Sequence, residues 1–552
     1  MSDASDRTGG LHPSSTLDLA AWVAVCAIAG GSISSLCPRV RVWSVLAAAT
    51  ASGALAMAAR ARFLAPPTTA SAVERWAPLA VILFFAPCLW FTTPPGADMT
   101  MHVAMARAIA TGSAALSPAY GDLVVVAYPR GLPAWIAVLS APFGLALAGL
   151  IANGVALSLY TLGLRAFARD VLRLPFPGLI ALVATIASKS PQGFLTWGGA
   201  PNLLALTFGL FAAAHVARGG LDRAGSSALL GSVLLVAAVA THPMGALCAA
   251  LFLAIGVTCV IGQAPAETRA HPAGAAALAC AFLPFLAALL WLSARGPSIS
   301  EAERQWIADF SRVDSRVVPG PRSHAAFEIF HGIWSECGPV YLLLWLASCA
   351  ALIARRSWRI PLASLASIEI VGLVLANGPY VPGIGPYLYP ARFAPLLSIA
   401  MMLPIAQVTT LFDPRSHCFR FAVALTLFAG LGVHVDLTDL TLPIATKNDL
   451  AAIACLDRTV PSDAVIDGRY GDATAWIPAL TGRRVTRPHV HCTLLDEVAA
   501  IRAHQRPTYR FVGERQRYVD GAEAAAMPRT QPVCVFGGAA LYPIESMPRV
   551  AP

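Results

Sequence analysis

Apolar runs of membrane-spanning length recur along most of the chain, and this pattern constrains the fold more than any other feature. A helix needs about 20 consecutive, mainly apolar residues to cross the hydrocarbon core of a bilayer. Of the 552 residues, 57% are hydrophobic and only 12% are charged, against about 25% charged in a soluble domain. The mean hydropathy is +0.64. We therefore predict an all-α polytopic membrane bundle.

About thirteen runs are candidate transmembrane spans. They are 18–36, 40–58, 77–92, 145–164, 176–188, 203–217, 225–240, 243–262, 274–294, 334–354, 360–376, 387–410 and 420–435. If the N-terminus is cytoplasmic, most arginines between spans fall on the inner side, as the positive-inside rule requires. An odd number of spans then leaves the C-terminus outside. The segment 132–144 is predicted to lie on the surface or to re-enter the membrane, so that it does not count as a crossing.

The segments between the spans divide the chain into two predicted domains. Residues 1–435 form the transmembrane domain, and two of its outer loops, 93–130 and 295–333, are long and rich in polar groups. Residues 436–552 alternate helical and strand patterns, which predicts a small extracytoplasmic α/β domain. An abundance of alanine and arginine with only two lysines suggests a bacterial protein of the cell (inner) membrane.

Asp98 and His102 are the first candidates for a functional site. They follow Pro94-Pro95-Gly96 and lie four residues apart on a predicted amphipathic helix, so both side chains share one face. Ionisable groups beside the membrane are costly without a function. The alternative is that Asp98 only caps the helix that follows, by accepting hydrogen bonds from its free N–H groups.

Other outer motifs have both a functional and a structural interpretation. Arg130, after Tyr128, would bind a phosphate or anchor a helix end at the headgroups. The Trp197-Gly198-Gly199 turn would let a sugar approach closely, although a tight turn at the aromatic belt is favoured. Of the three tail cysteines, Cys455, Cys492 and Cys534, two could pair in an oxidising compartment.

The first outer loop resembles that of the C-type (GT-C fold) membrane glycosyltransferases, and the span number and outer C-terminal domain are similar to that class as well. The sequence-specific part covers about forty residues. It consists of Gly96-Ala97-Asp98, His102, Ala106, Ala110, Gly112, Tyr128-Pro129 and Gly131. The Asp-x-Asp pattern of some members is absent, because Met99 and Thr100 follow Asp98.

This resemblance implies transfer of a sugar from a polyprenyl-phosphate carrier to a saccharide, lipid or protein acceptor outside the cytoplasm. Asp98 would be the general base that deprotonates the acceptor hydroxyl. Arg392, just after Tyr389, would bind the carrier phosphate, with Arg130 and His242 as second choices. A single carboxylate gives no indication of a metal site or cofactor, although it leaves a divalent ion open.

Two other classes of function fit the same composition. A transporter or flippase of lipid-linked saccharides would place ionisable residues near the midplane of several spans. Here Glu369 is the clear exception in spans that are nearly free of charge, which favours catalysis at the outer surface. A non-catalytic assembly protein becomes attractive if Asp98 is only a cap. The net charge of +9 does not indicate nucleic acid, because the arginines are spread over short loops.

Overall fold

In the computed structural model the described part of the chain is mainly helical. It comprises residues 13–37, 40–58, 79, 83, 91–96, 98–112, 129–172, 174, 176–188, 194–195, 198–219, 224–242, 245–246, 248–249, 334, 337–377, 394–409, 411, 424, 443–469, 471–486, 507–515 and 530–544. The helices are α1 (Pro13–Ser34), α2 (Val42–Ala58), α3 (Asp98–Ala110), α4 (Gly131–Phe143), α5 (Leu145–Asp170), α6 (Pro177–Ile186), α7 (Ala200–Gly219), α8 (Ala224–Thr241), α9 (Gly338–Ala354), α10 (Arg359–Asn377), α11 (Ala394–Thr409), α12 (Lys447–Thr459) and α13 (Trp476–Thr481).

Helices α1, α2 and α5 to α11 coincide with the apolar runs from which spans were predicted. Among the described residues, α5 is the one helix long and apolar enough to cross a bilayer by length and composition, with 26 residues and a hydropathy of 1.8. Shorter apolar helices of 10–17 residues accompany it. Most of the runs 77–92, 243–262, 274–294 and 420–435 lies outside the described residues, so the count of thirteen stays a prediction.

Helix α4 covers most of the segment 132–144 and ends at a break at Gly144, where φ is +73°. Its first half packs against the described neighbouring helices. Leu132, Ala134 and Ile136 are buried, and Trp135 Nε1 donates a hydrogen bond to the carbonyl oxygen of Ile28 in α1 at 3.2 Å. This contact buries apolar surface of α4, and the position of the segment relative to the membrane stays a prediction.

Several helices present large apolar side chains outward. Trp43 and Leu55 of α2 are 79% and 70% exposed, and Leu343 of α9 is 64% exposed. Leu362 and Ile370 of α10 are exposed as well. A soluble protein rarely leaves such contiguous apolar faces in water, whereas lipid contact favours them.

The C-terminal region forms a five-stranded sheet in the order β2-β1-β3-β5-β4. Its strands are β1 (Val465–Asp467), β2 (Arg484–Val485), β3 (Tyr509–Val512), β4 (Cys534–Phe536) and β5 (Ala539–Pro543). Strand β1 pairs in parallel with β2 and β3, while β5 pairs antiparallel with β3 and β4. The predicted succession of helix, strand, helix and strand is confirmed by α12, β1, α13 and β2. The domain boundary at 436 stays a prediction.

Helix α12 is fixed at both ends. Thr446 and Asp449 form a capping box, in which each side chain accepts a hydrogen bond from the other residue's backbone N–H. Near its C-terminal end, Cys455 forms a disulfide with Cys534 of β4. The helix is therefore attached to the antiparallel edge of the sheet, and two of the three tail cysteines do pair.

Candidate functional site

Helix α3 begins at Asp98 and places its carboxylate in the first helical turn. The preceding residues Pro94 to Gly96 are buried, and Gly96 has a φ of +96° that reverses the chain into the helix. Asp98 itself is partly exposed. A carboxylate in this position is stabilised by the positive end of the helix dipole, so a structural role and an exposed, reactive position are both compatible with the geometry.

Gly198 packs against the backbone of Asp98 and Met99. Its φ is +97°, and an added Cβ would lie 2.7 Å from Met99 N and 2.9 Å from Asp98 Cβ. Gly149 of α5 makes a similar approach from another direction, where an added Cβ would lie 2.6 Å from Pro94 Cγ. Two glycines thus allow a loop and a helix to fix the position of Asp98. Within the Trp197-Gly198-Gly199 motif, Gly198 therefore has a specific packing role at the candidate base.

His102 follows Asp98 by one turn of α3, as the spacing predicted, but it is only 1% exposed. His102 is therefore enclosed, whereas Asp98 is partly exposed. Direct contact of His102 with a ligand stays a prediction.

Arg130 and His242 flank one close helix contact. An added Cβ on Gly131 would lie 2.8 Å from Thr241 Oγ1 and 2.9 Å from the carbonyl oxygen of Ala240, so the start of α4 abuts the end of α8. Arg130 is partly buried, and this burial lowers the pKa of its guanidinium. A partly desolvated cation at a helix junction interacts more strongly with an anion than one in water.

His242 has a hydrogen-bonding role within the fold. Its Nδ1 accepts a hydrogen bond from Gly245 N at 3.3 Å. The neutral tautomer that this bond requires carries its proton on Nε2. His242 is buried, so the structural interpretation of a neutral interfacial histidine accounts for its position, and ligand binding by its Nε2–H stays a prediction.

Asn202 is a candidate that the sequence analysis did not select. It is 2% exposed, and its Oδ1 accepts no hydrogen bond from the part of the chain that the structure describes. Its backbone lies against Gly245, where an added Cβ would be 3.2 Å from the Asn202 carbonyl oxygen. An unsatisfied buried amide oxygen is costly, which suggests an additional donor. The only sequence signal was its place four residues after Gly198.

These contacts join the candidates into one layer. Gly198 packs against Asp98, Asn202 lies in the first turn of α7, which follows Gly198, and Gly245 packs against Asn202. His242 binds Gly245 N, and Thr241 contacts the start of the Arg130 helix. The structure therefore connects Asp98, Asn202, His242 and Arg130 through backbone contacts. Tyr128, Tyr389, Arg392 and the loop 295–333 lie outside the described residues.

A cavity of about 570 Å³ is lined mainly by apolar side chains. One wall is the α4–α5 junction, where Phe143 and Leu147 are partly exposed, and the opposite wall is α12 with Leu450 and Ile453. Thr92, six residues before Asp98, also lines it. We call this cavity the junction slot. An apolar space of this kind suits a hydrocarbon chain.

Three acidic side chains of the C-terminal region were not predicted as a group. Asp449 is buried, and its pKa is raised mainly by desolvation. Asp472 is also buried, which raises its pKa to about 6, although Thr474 N and Gly513 N both donate hydrogen bonds to its carboxylate. Hydrogen bonds from Thr446 lower the pKa of the exposed Glu514. The acceptor sites of this group are used by neighbouring backbone and side chains, so we assign it a structural role.

No family model matches the chain, and no curated protein matches it. Among solved structures, the apo oligosaccharyltransferase of Archaeoglobus fulgidus gives a TM-score of 0.41 at 12% identity over 80% of this chain and 70% of its own. The same organism's AglB, in complex with an inhibitory peptide and a dolichol-phosphate, gives 0.41 at 11% identity over the same shares. ArnT from Cupriavidus metallidurans, bound to undecaprenyl phosphate, gives 0.38 at 12% identity over 84% and 97%.

At identities of 11–12% and TM-scores below 0.5, the likeness transfers neither a substrate nor a residue role to this chain.

Proposed function

We propose that this protein is a membrane glycosyltransferase that moves a sugar from a polyprenyl-phosphate carrier to an acceptor hydroxyl on the outer face of the membrane. The observation that carries the proposal is the partly exposed carboxylate of Asp98, held by glycine contacts in a layer that also contains Arg130 and the buried amide of Asn202. This arrangement offers a base, a cation and a hydrogen-bonding group.

The membrane location is supported by the outward-facing apolar side chains of α2, α9 and α10. The outer location of the C-terminal region is supported by the Cys455–Cys534 disulfide, because such bonds persist in oxidising compartments and are rare in the cytosol. The junction slot, which is lined mainly by apolar side chains of α4, α5 and α12, supports a lipid-linked donor, since a polyprenyl chain needs an apolar path.

The proposed step is a displacement at the anomeric carbon. Asp98 takes the proton of the acceptor hydroxyl, whose oxygen forms the new glycosidic bond as the bond from that carbon to the phosphate oxygen breaks. The phosphate leaves with the bonding electrons and keeps the negative charge. Arg130, together with Arg392, would stabilise this departing anion, and Asn202 would orient a hydroxyl of the sugar.

The test is transfer in membranes that contain the full-length protein, with radiolabelled undecaprenyl phosphate-linked glucose and mannose as probes. For Asp98→Asn we expect a loss of roughly 10²- to 10⁴-fold in transfer rate, as for removal of a general base. Full transfer by this variant would show that Asp98 is not the base.

Measurements of carrier binding distinguish the role of the two arginines, Arg130 and Arg392, from that of Asp98. Arg130→Ala and Arg392→Ala should weaken binding of undecaprenyl phosphate itself, whereas Asp98→Asn should leave it nearly unchanged. Movement of the labelled carrier across the membrane without transfer would instead support the flippase alternative.

A further inference from the structure

Arg107 connects α3, the helix that begins with Asp98, to the C-terminal region. Its Nη1 donates a hydrogen bond to the carbonyl oxygen of Leu480 at 2.6 Å, and its Nη2 donates one to the carbonyl oxygen of Thr481 at 3.0 Å. These carbonyls end α13, where the helix dipole is negative, so the positive guanidinium is complementary to them. The planar guanidinium spans two neighbouring acceptors, which a lysine ammonium cannot do in the same way.

Gly482 makes room for this contact. It has a φ of +76° and ends α13 in a left-handed conformation. An added Cβ would lie 3.1 Å from Arg107 Nε and 3.5 Å from Arg107 Nη2. The sequence at this position therefore permits both the turn and the close approach of the guanidinium.

A second contact ties the other end of the same segment to the C-terminal region. Thr92 Oγ1 donates a hydrogen bond to the carbonyl oxygen of Ala445 at 2.5 Å. Ala445 directly precedes Thr446, the capping residue of α12. The stretch from Thr92 to Arg107, with Asp98 between them, is thus held at both ends by the same region.

We propose that Arg107 is a positioning residue through which the C-terminal region sets the location of Asp98. The inference rests on the proposed function for the role of Asp98, whereas the mechanical link does not. Asp98 and Arg107 lie nine residues apart on one helix, or about 14 Å along its axis. A helix of this length moves as a unit, so loss of the Arg107 contacts shifts the start of α3 relative to the carrier and acceptor.

The kinetic test compares Arg107→Ala and Arg107→Lys in the full-length protein with the labelled carriers above. A displaced base lowers kcat, and we expect a fall of about 10- to 100-fold for Arg107→Ala, with the KM for the carrier changed by less than about twofold. Arg107→Lys should keep an intermediate kcat, because it retains the charge but not the paired hydrogen bonds. Arg484→Ala is the matched control, since Arg484 is an exposed arginine two residues after Gly482, and its kcat should equal that of the unaltered protein.

The structural test does not depend on activity. Hydrogen exchange of amides 98–104 should be faster in Gly482→Ala than in Gly144→Ala. Both glycines adjoin the junction slot and have left-handed φ values of +76° and +73°, but an added Cβ at Gly144 meets nothing within 4 Å. Equal exchange in the two variants would overturn the link between Arg107 and the start of α3.

Together, transfer activity and hydrogen exchange distinguish a failure of the proposed function from a failure of the positioning role of Arg107. If amides 98–104 exchange faster in Gly482→Ala but Asp98→Asn retains full activity, the link between Arg107 and α3 stands and the proposed function is wrong. An Arg107→Ala variant that loses thermal stability but retains its kcat would show that Arg107 only holds the fold together, and would overturn its positioning role.

Discussion

Gly198 is the residue whose substitution tests the packing of the site most directly. In Gly198→Ala, the new methyl would meet Met99 N and Asp98 Cβ within 3 Å, in a backbone conformation that alanine rarely adopts. We expect a loss of stability of about 1–3 kcal/mol and a fall in transfer activity, because the start of α3 must move. Thermal unfolding and transfer assays measure the two effects.

The control for Gly198 is Gly112, at the other end of α3. Its φ is +72°, and an added Cβ meets nothing within 4 Å. Gly112→Ala should therefore show the backbone cost, of about 1 kcal/mol, without the loss of activity. If both variants were equally active, contact of Gly198 with the Asp98 turn would not matter to the site.

Asp472 gives the C-terminal region a pH-dependent stability. Burial raises its pKa from 3.8 to about 6, so the folded state binds this proton more tightly than the unfolded state. The resulting stabilisation is complete below about pH 4 and is lost as the pH rises to about 6, and a two-unit shift corresponds to about 3 kcal/mol. We expect hydrogen exchange of β3, corrected for intrinsic rates, to accelerate over this interval.

Asp472→Asn removes the titration and is the informative variant. Its amide NH₂ would face Thr474 N or Gly513 N, both of which now donate to the carboxylate, so we expect a lower stability that changes much less between pH 4 and 6. An unchanged pH profile in this variant would assign the titration to another group, such as Asp449.

Residue chemistry allowed Asp98 to be selected from the sequence, because a carboxylate after Pro-Pro-Gly at a membrane surface is unusual. The sequence could not show that Gly198 lies on Asp98, since a hundred residues separate them and only tertiary packing brings them together. Asn202 was missed for the same reason. Arg107 was not among the candidates, because its acceptors are backbone carbonyls, which leave no trace in a sequence.

At the scale of elements, the Cys455–Cys534 bond should be a main support of α12. It closes a loop over 79 positions between the helix and β4, and removing such a bond costs about 2–5 kcal/mol. In the double variant Cys455→Ala/Cys534→Ala we expect faster proteolysis and faster hydrogen exchange of α12, as a loss of about 2–5 kcal/mol in the free energy of unfolding implies. In the unaltered protein both cysteines should react with maleimide only after reduction, and reaction without reductant would contradict the pairing.

Helices were predictable because apolar runs are long and local. Helices α2 and α8 differ from their predicted spans by at most two residues at either end, and the break at Gly144 lies two residues after Pro142. The sheet was less predictable, because β1 and β2 have three and two residues and their order depends on pairing between distant segments. Strands β3 to β5 were not individually predicted.

For the whole molecule, composition predicts the membrane and arginine placement predicts its sidedness, but neither fixes the number of crossings. One missed or added span would reverse every later loop. The exposed apolar side chains of the described helices are consistent with lipid contact. Such side chains do not tell which side of the membrane is the outer one. Sidedness therefore needs a chemical label.

Cys37 provides a native label for sidedness. It is a free, exposed cysteine between α1 and α2, and the predicted topology puts this loop outside. A membrane-impermeant maleimide should therefore modify it in intact cells when the third tail cysteine, Cys492, is replaced by serine, and Cys37→Ser should remove that signal. In the same background, Arg355→Cys lies after α9 at an exposed position that the prediction places inside, so it should react only after permeabilisation. Reaction of Arg355→Cys in intact cells, with protection of Cys37, would invert the topology and move Asp98 to the cytoplasmic face, where transfer to an outer acceptor is excluded.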